Sequence, residues 1–262
     1  MGVAPMSNSL FDTHCHLTDP RLLSQLADVL ARAAERGVAH MVTIATDPPD
    51  WTQALALCRG FPTLRCALGV HPNEAHKAPA DALAVLEGLL GEKSVVALGE
   101  IGLDWHYGIA HREIQYRLFE RQLAMAAERQ LPVVIHSRES VADCLAVMSR
   151  YALKRAVFHC FTGSGEEAEQ ILAQGFWLGF TGVVTFKNGA ELRRVAASVP
   201  ADRLLVETDA PYLTPEPMRK QKVNEPAMVA YTAAVIARER GVSAEALAGL
   251  TTGNGLRFYG IG

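Results

Sequence analysis

The chain has 262 residues, of which 49% are hydrophobic and 20% charged, enough for one large folded core and unlike a disordered, collagen-like or coiled-coil chain. A net charge of −3 excludes capture of long nucleic acid by bulk electrostatics, so any nucleic-acid substrate must be gripped by a few local contacts. Five cysteines without a CxxC pair argue for a reducing compartment, and no leader pattern, myristoylation pattern or apolar run of about 20 residues is present, so a cytoplasmic monomer off the membrane is expected.

In chain order, β-branched or apolar runs alternate with longer amphipathic stretches. A strand is predicted over 10–13, then a helix over 21–36, strands over 40–45 and 64–70, and a helix over 80–90. Strands over 95–99, 133–135, 156–158 and 176–180 are followed by helices over 111–129, 140–151, 166–174 and 190–198 respectively. A last strand over 204–206 leads through a loop over 209–225, rich in proline and basic residues, to helices over 227–240 and 244–250. Strand-then-helix repetition implies parallel strands with crossover helices, and eight units close naturally into a TIM (β/α)8 barrel spanning 1–262, with 1–9 loosely attached. An open doubly wound sheet reads similarly, but no G-x-G-x-x-G follows the first strand.

The strand ends carry the chemistry. His14 and His16 end the first strand, His71 follows the third, Glu100 ends the fourth, His136 and His159 end the fifth and sixth, and Glu207 and Asp209 end the eighth. Active sites of TIM barrels lie at this C-terminal rim. Residues two apart on a strand share a face, so counting back by two places Leu98 and Val96 under Glu100, Val134 under His136 and Val157 under His159, apolar columns proper to a barrel interior. Histidines and carboxylates in one pocket suit Zn²⁺, Mn²⁺ or Mg²⁺. Six ligands (His14, His16, Glu100, His136, His159 and Asp209) exceed the three that one catalytic zinc takes from protein, so two divalent ions about 3.5–4 Å apart, bridged by a carboxylate, are expected. Singly, a His-x-His or a rim glutamate is as readily a satisfied polar residue; the weight lies in six at one rim.

Asp12-Thr13-His14-Cys15-His16-Leu17, Gly69-Val70-His71-Pro72, Gly99-Glu100-Ile101-Gly102-Leu103-Asp104, Pro132-Val133-Val134-Ile135-His136-Ser137-Arg138, His159-Cys160-Phe161-Thr162-Gly163, Glu207-Thr208-Asp209-Ala210-Pro211-Tyr212-Leu213 and Asn224-Glu225-Pro226 together resemble the TatD-type metal-dependent deoxyribonucleases, a branch of the amidohydrolase superfamily. These motifs span about residues 10 to 226. The resemblance implies a TIM barrel, a two-metal centre and hydrolysis of DNA phosphodiesters, often from a 3′ end. It implies that His14, His16 and Asp209 hold one metal, His136 and His159 the other, and that Glu100 bridges. Trp105-His106 departs from the aromatic pair, usually with tyrosine, that is common there.

For the remaining residues, functional and bland readings stand side by side. Asp209 is read as metal contact and proton acceptor from the attacking water, or as a plain ligand. Glu207 is read as orienting a ligand histidine, or as a buried ion pair. His71 is assigned to the scissile phosphate or the leaving oxygen, with a structural turn as alternative, and Arg138 to bidentate phosphate contact or a surface salt bridge. Asn224 contacts substrate or positions the loop; Arg219, Lys220 and Lys222 offer backbone contact or a solvated loop. Trp105 is the tryptophan best placed to stack a base, while Trp177 reads as core, and Cys15 and Cys160 as packing behind the site. The function expected is a 3′–5′ exodeoxyribonuclease acting on single-stranded DNA or 3′ ends. Hydrolysis of aminoacyl-tRNA or small phosphoesters is the alternative, and a non-catalytic metal-binding scaffold the third reading.

Overall fold

Apolar runs too short for helices become strands, and the computed structural model, which describes residues 9–107 and 109–261, joins eight of them in one parallel sheet. They are β1 (Leu10–Cys15), β2 (Val38–Ala45), β3 (Leu64–Leu68), β4 (Val95–Asp104), β5 (Val133–Arg138), β6 (Ala156–Phe158), β7 (Trp177–Phe180) and β8 (Leu204–Val206). The helices are α1 (Pro20–Leu23), α2 (Leu26–Glu35), α3 (Pro48–Gly60), α4 (Ala82–Leu89), α5 (Arg112–Arg129), α6 (Val141–Met148), α7 (Gly165–Ala173), α8 (Ala190–Ser198), α9 (Val229–Arg240) and α10 (Ala244–Tyr259). Spatial order follows chain order from β1 to β8. The two ends meet at the rim, where His16 N–H donates to Ala210 O at 2.7 Å and Asp209 N–H donates to His14 O at 2.9 Å. Beneath, the Asp12 carboxylate accepts from the Thr208 backbone N–H at 2.8 Å and its hydroxyl at 2.6 Å. The sheet is therefore the expected TIM barrel, and its closing seam is made at the residues that carry the predicted ligands.

Two cores follow from strand alternation. Phe11, Val42, Ile44, Ala67, Val134, Val157 and Leu205 fill the barrel interior, while a larger apolar layer joins the outer strand faces to the helices. The end of α10 plugs the barrel floor: Phe258 packs on Trp177 and Tyr259 on Phe11, with ring centroids 5.3 and 5.8 Å apart. The Tyr259 hydroxyl donates to Thr13 O at 2.7 Å. Gly255 allows this fit, because a Cβ there would stand 2.5 Å from Phe11 Cδ1.

Several expected elements are corrected. The helix expected over 21–36 breaks at Gln25, whose φ of −133° is not helical, into α1 and α2. Helix α3 went unpredicted, although Asp47 caps it through Asp50 N–H and Pro48 opens its first turn. The last helix, expected to stop at 250, runs on to Tyr259 through Gly253 and Gly255, because the plug repays poor helix propensity with burial. Ser9 is buried and its carbonyl accepts from the Thr252 hydroxyl at 2.7 Å, so it is attached; residues 1–8 of the expected loose segment lie outside the described residues. No helix among the described residues is long and apolar enough to cross a membrane.

The largest correction is at β4. Leu98 belongs to the outer core and Ala97 to the interior, so of the two residues expected under Glu100 Leu98 is out of phase while Val96 packs against the interior cluster. The β4–β5 register slips between Gly99 and Ile101, a bulge that turns Glu100 inward and lets the strand continue to Asp104. Pairing resumes at Ile101 opposite Ile135, and Gly102 follows opposite His136 with φ +143°, where a Cβ would collide with the His136 carbonyl oxygen. Gly102→Ala is expected to destabilise the fold by about 3 kcal/mol, combining left-handed backbone strain with a forced β4–β5 displacement. A lowered urea midpoint in equilibrium unfolding is the check, and an unchanged midpoint would contradict it.

Candidate metal centre

The barrel rim brings the six expected ligands together around Glu100, which is buried on the bulge of β4. Asp209 reaches the site from a backbone with φ +55°, a left-handed conformation that aspartate tolerates better than most residues. His14 Nε2 and His16 Nε2 lie 3.4 Å apart. Asp209 Oδ1 stands 3.6 Å from the first and 3.3 Å from the second. Glu100 Oε2 completes this set, 3.6 Å from His14 Nε2 and 3.8 Å from His16 Nε2. Its other oxygen, Oε1, faces a different set: His159 Nε2 at 2.7 Å, His136 Nδ1 at 3.1 Å and His71 Nε2 at 3.4 Å. One carboxylate thus divides its oxygens between two groups of donors.

The electrostatics match this division. Burial works to raise the Glu100 carboxyl, but the facing His159, His71, His136 and His14 outweigh it and hold it well below the usual range. Asp209 is likewise lowered against its burial by the His16 hydrogen bond and the neighbouring imidazoles. Burial drives His14 and His71 toward neutrality. At His16 burial is outweighed by Asp209 and Glu100, which push it up to about 9. The donor set fits divalent metal: two imidazole nitrogens aimed at one another across 3.4 Å, with two ionised carboxylates beside them, call for a shared cation.

A second layer orients these groups. Asp104, buried at the end of β4, accepts from His136 Nε2 at 3.0 Å, which directs Nδ1 to Glu100. It also accepts from Asn73 Nδ2 at 3.2 Å, and from the backbone N–H groups of His106 at 3.0 Å and Tyr107 at 2.8 Å. Sequence reasoning missed Asp104 because it ended β4 at Gly99; the signal was its motif position, four residues past Glu100. Glu207 accepts from Cys160 N–H at 2.6 Å and stands 3.5 Å from His159 Nδ1. His71 Nδ1 accepts from Asn73 N–H at 3.0 Å, so its Nε2 carries the proton of a neutral ring and faces the site.

The other expected residues disperse. Arg138 is exposed at the rim, makes no ion pair with a described residue, and lines a cavity of about 300 Å³ with His159, Phe161, Thr162 and Glu167. Asn224 is buried, and its amide donates to Thr208 O at 2.9 Å and Tyr212 O at 2.6 Å while its oxygen accepts from Glu225 N–H at 2.9 Å. These contacts fit the loop-positioning alternative and commit both amide protons to the loop backbone. The Trp105 indole donates to Asp143 at 2.8 Å with the Arg112 guanidinium 4.3 Å over its ring, so one of its faces is already covered. Arg219 lies over Phe186 at 3.9 Å, and Lys220 and Lys222 are exposed. Trp177 is core, Cys15 Sγ lies 3.5 Å from Val42 O, and Cys160 Sγ lies 3.6 Å from Thr181 Oγ1.

Known proteins share this whole frame. The family described as TatD related DNase matches residues 11–260. The uncharacterized metal-dependent hydrolase YcfH of Escherichia coli (strain K12) is 40% identical over 96% of this chain and 96% of its own. The 3′-5′ ssDNA/RNA exonuclease TatD of Erwinia tasmaniensis is 37% identical over 96% of this chain and 100% of its own. The crystal structure of the TatD homolog YJJV from Escherichia coli K12 superposes with a TM-score of 0.92 at 32% identity, covering 98% of this chain and 100% of that one.

Proposed function

Because this chain belongs to the TatD-related DNase family and is a metal-dependent hydrolase, we propose that it cleaves phosphodiester bonds of single-stranded DNA from the 3′ end. The observation that carries this reading is the division of Glu100: Oε2 toward His14 and His16, which also meet Asp209, and Oε1 toward His136, His159 and His71. Two sets joined by one carboxylate suit a pair of divalent ions, Mg²⁺, Mn²⁺ or Zn²⁺. Such ions supply Lewis-acid stabilisation of the attacked phosphate and acidify the attacking water.

The chain's own residues do the rest. Asp209, ionised and in contact with His14 and His16, accepts the proton of the attacking water. His71 turns its protonated Nε2 into the site and donates to a phosphoryl or leaving oxygen. Arg138 offers a guanidinium fork to a neighbouring phosphate, and the exposed Lys222 and Arg219 add positive charge for the strand's backbone. The name of the Erwinia relative supports a 3′-to-5′ direction on single strands.

Purified protein incubated with 5′-labelled single-stranded DNA and Mg²⁺ or Mn²⁺ should give a ladder shortening from the 3′ end, abolished by a chelator. No metal-dependent shortening, with turnover of aminoacyl-tRNA in parallel, would replace this reading with the ester-hydrolase one.

A further inference from the structure

Four large hydrophobic side chains are exposed among the described residues: Val85, Tyr107, Tyr212 and Val242. The valines sit on α4 and in the turn after α9. Both tyrosines stand at the barrel mouth, 69% and 48% exposed, each with an arginine guanidinium 4.7 Å from its ring centroid. Single exposed apolar groups are ordinary, but two arginine–tyrosine stacks beside one catalytic centre are not explained by folding.

Each stack is tied to a different donor group. Tyr212 lies edge-on to His16 with ring centroids 6.0 Å apart, and its N–H donates to Asp209 O at 2.9 Å. Its arginine, Arg21, is clamped by Asp19 through bonds of 2.8 and 2.7 Å. That charge is already neutralised, so Arg21 serves to brace the ring. On the other side Tyr107 N–H donates to Asp104, the carboxylate that holds His136. Its arginine, Arg138, has no ion-pair partner among the described residues and is free for a phosphate. The guanidinium covers one face of each tyrosine and the His106 ring meets Tyr107 at right angles with centroids 4.5 Å apart, so the rest of each exposed ring is what remains for a nucleobase, the kind of aromatic surface on which single strands are held without sequence preference.

We propose that Tyr212 with Arg21 and Tyr107 with Arg138 form two base-stacking platforms, one on each side of the scissile phosphate, that hold a single-stranded polynucleotide across the metal centre. The inference rests on the nuclease reading above and adds residues to it. It also accounts for a preference for single strands, since bases inside a duplex cannot reach both rings. Asn224 acts here as a positioning residue, fixing the loop behind Tyr212.

The test is steady-state cleavage of a 5′-labelled oligothymidylate by the full chain with Mg²⁺. Tyr107→Ala and Tyr212→Ala should each raise KM about tenfold with kcat changed by less than about threefold, within the range of one lost base stack. Tyr107→Phe and Tyr212→Phe should stay within about twofold of the parent, as should Val85→Ala. Removing the bases nearest the 3′ end of the strand should raise the parent's KM by a similar factor and make the alanine variants no worse. Alanine variants with parental KM, or with an undiminished penalty on the abasic strand, would overturn the platforms while the nuclease reading stands. A parent chain that does not shorten the strand would overturn both.

Discussion

Glu100→Gln is expected to lower kcat/KM on single-stranded DNA about a thousandfold, ~4 kcal/mol of transition-state stabilisation. The carboxylate presents one oxygen to each donor group. An amide retains one oxygen and turns an NH₂ toward the other, so one group gains a donor where it needs a ligand. The substitution also removes the negative charge that faces His159, His71, His136 and His14 in a buried site, where that charge is held well below the usual carboxylate range. Calorimetric titration with Mn²⁺ should show a loss of binding stoichiometry alongside the loss of rate, while far-UV circular dichroism is retained. A variant that keeps more than about a tenth of the parental kcat/KM would remove Glu100 from the centre of the mechanism.

That residue also marks where reading the sequence succeeds and where it stops. On β5 and β6 strict alternation holds, and Val134 and Val157 lie in the barrel interior below His136 and His159 as expected. On β4 a one-residue bulge reverses the faces, so Ala97 replaces Leu98 inside and the strand carries on to Asp104. Nothing in hydrophobic periodicity encodes a bulge; it is fixed by pairing with β5, a tertiary fact. Helix α3 is the opposite case. Its cap and proline signal at Asp47-Pro48 was legible, and its buried residues, Trp51, Ala54, Leu55 and Cys58, fall at i, i+3, i+4 and i+7; the apolar Ala56 and Leu57 outside that stripe lower its contrast. The plug formed by Phe258 and Tyr259 was illegible for a third reason, since two glycines lower local helix propensity and the gain comes from contacts with Phe11 and Trp177. The exposed tyrosines were quoted in motifs or passed over, because exposure and the arginines over them are visible only once strands distant in sequence are side by side.

Stripping divalent metal from the parent chain should abolish hydrolysis and lower Tm by about 10 °C, with both restored by Mn²⁺ or Mg²⁺. The rim ligands come from β1, β4, β5, from just beyond β6 and from the loop after β8, so the unfolded chain cannot hold an ion with the same set. An ion bound only to the folded state at about 100 times its Kd stabilises by ~2.7 kcal/mol, and two such ions by ~5 kcal/mol. At roughly 2 °C per kcal/mol for a domain of this size, that gives the expected shift. The gain should grow as pH rises toward about 9, because imidazole nitrogens must be unprotonated to ligate and Asp209 and Glu100 push His16 up to about 9, so protons compete with the ion below that value. Ions held by His14, His16 and Asp209 would also brace the seam between β1 and the segment after β8, so backbone amides along that seam should exchange faster after chelation. A Tm unmoved by chelator, together with unchanged exchange at His16 and Asp209, would mean that the rim donors are held by their own hydrogen bonds and that metal plays no part in closing the barrel.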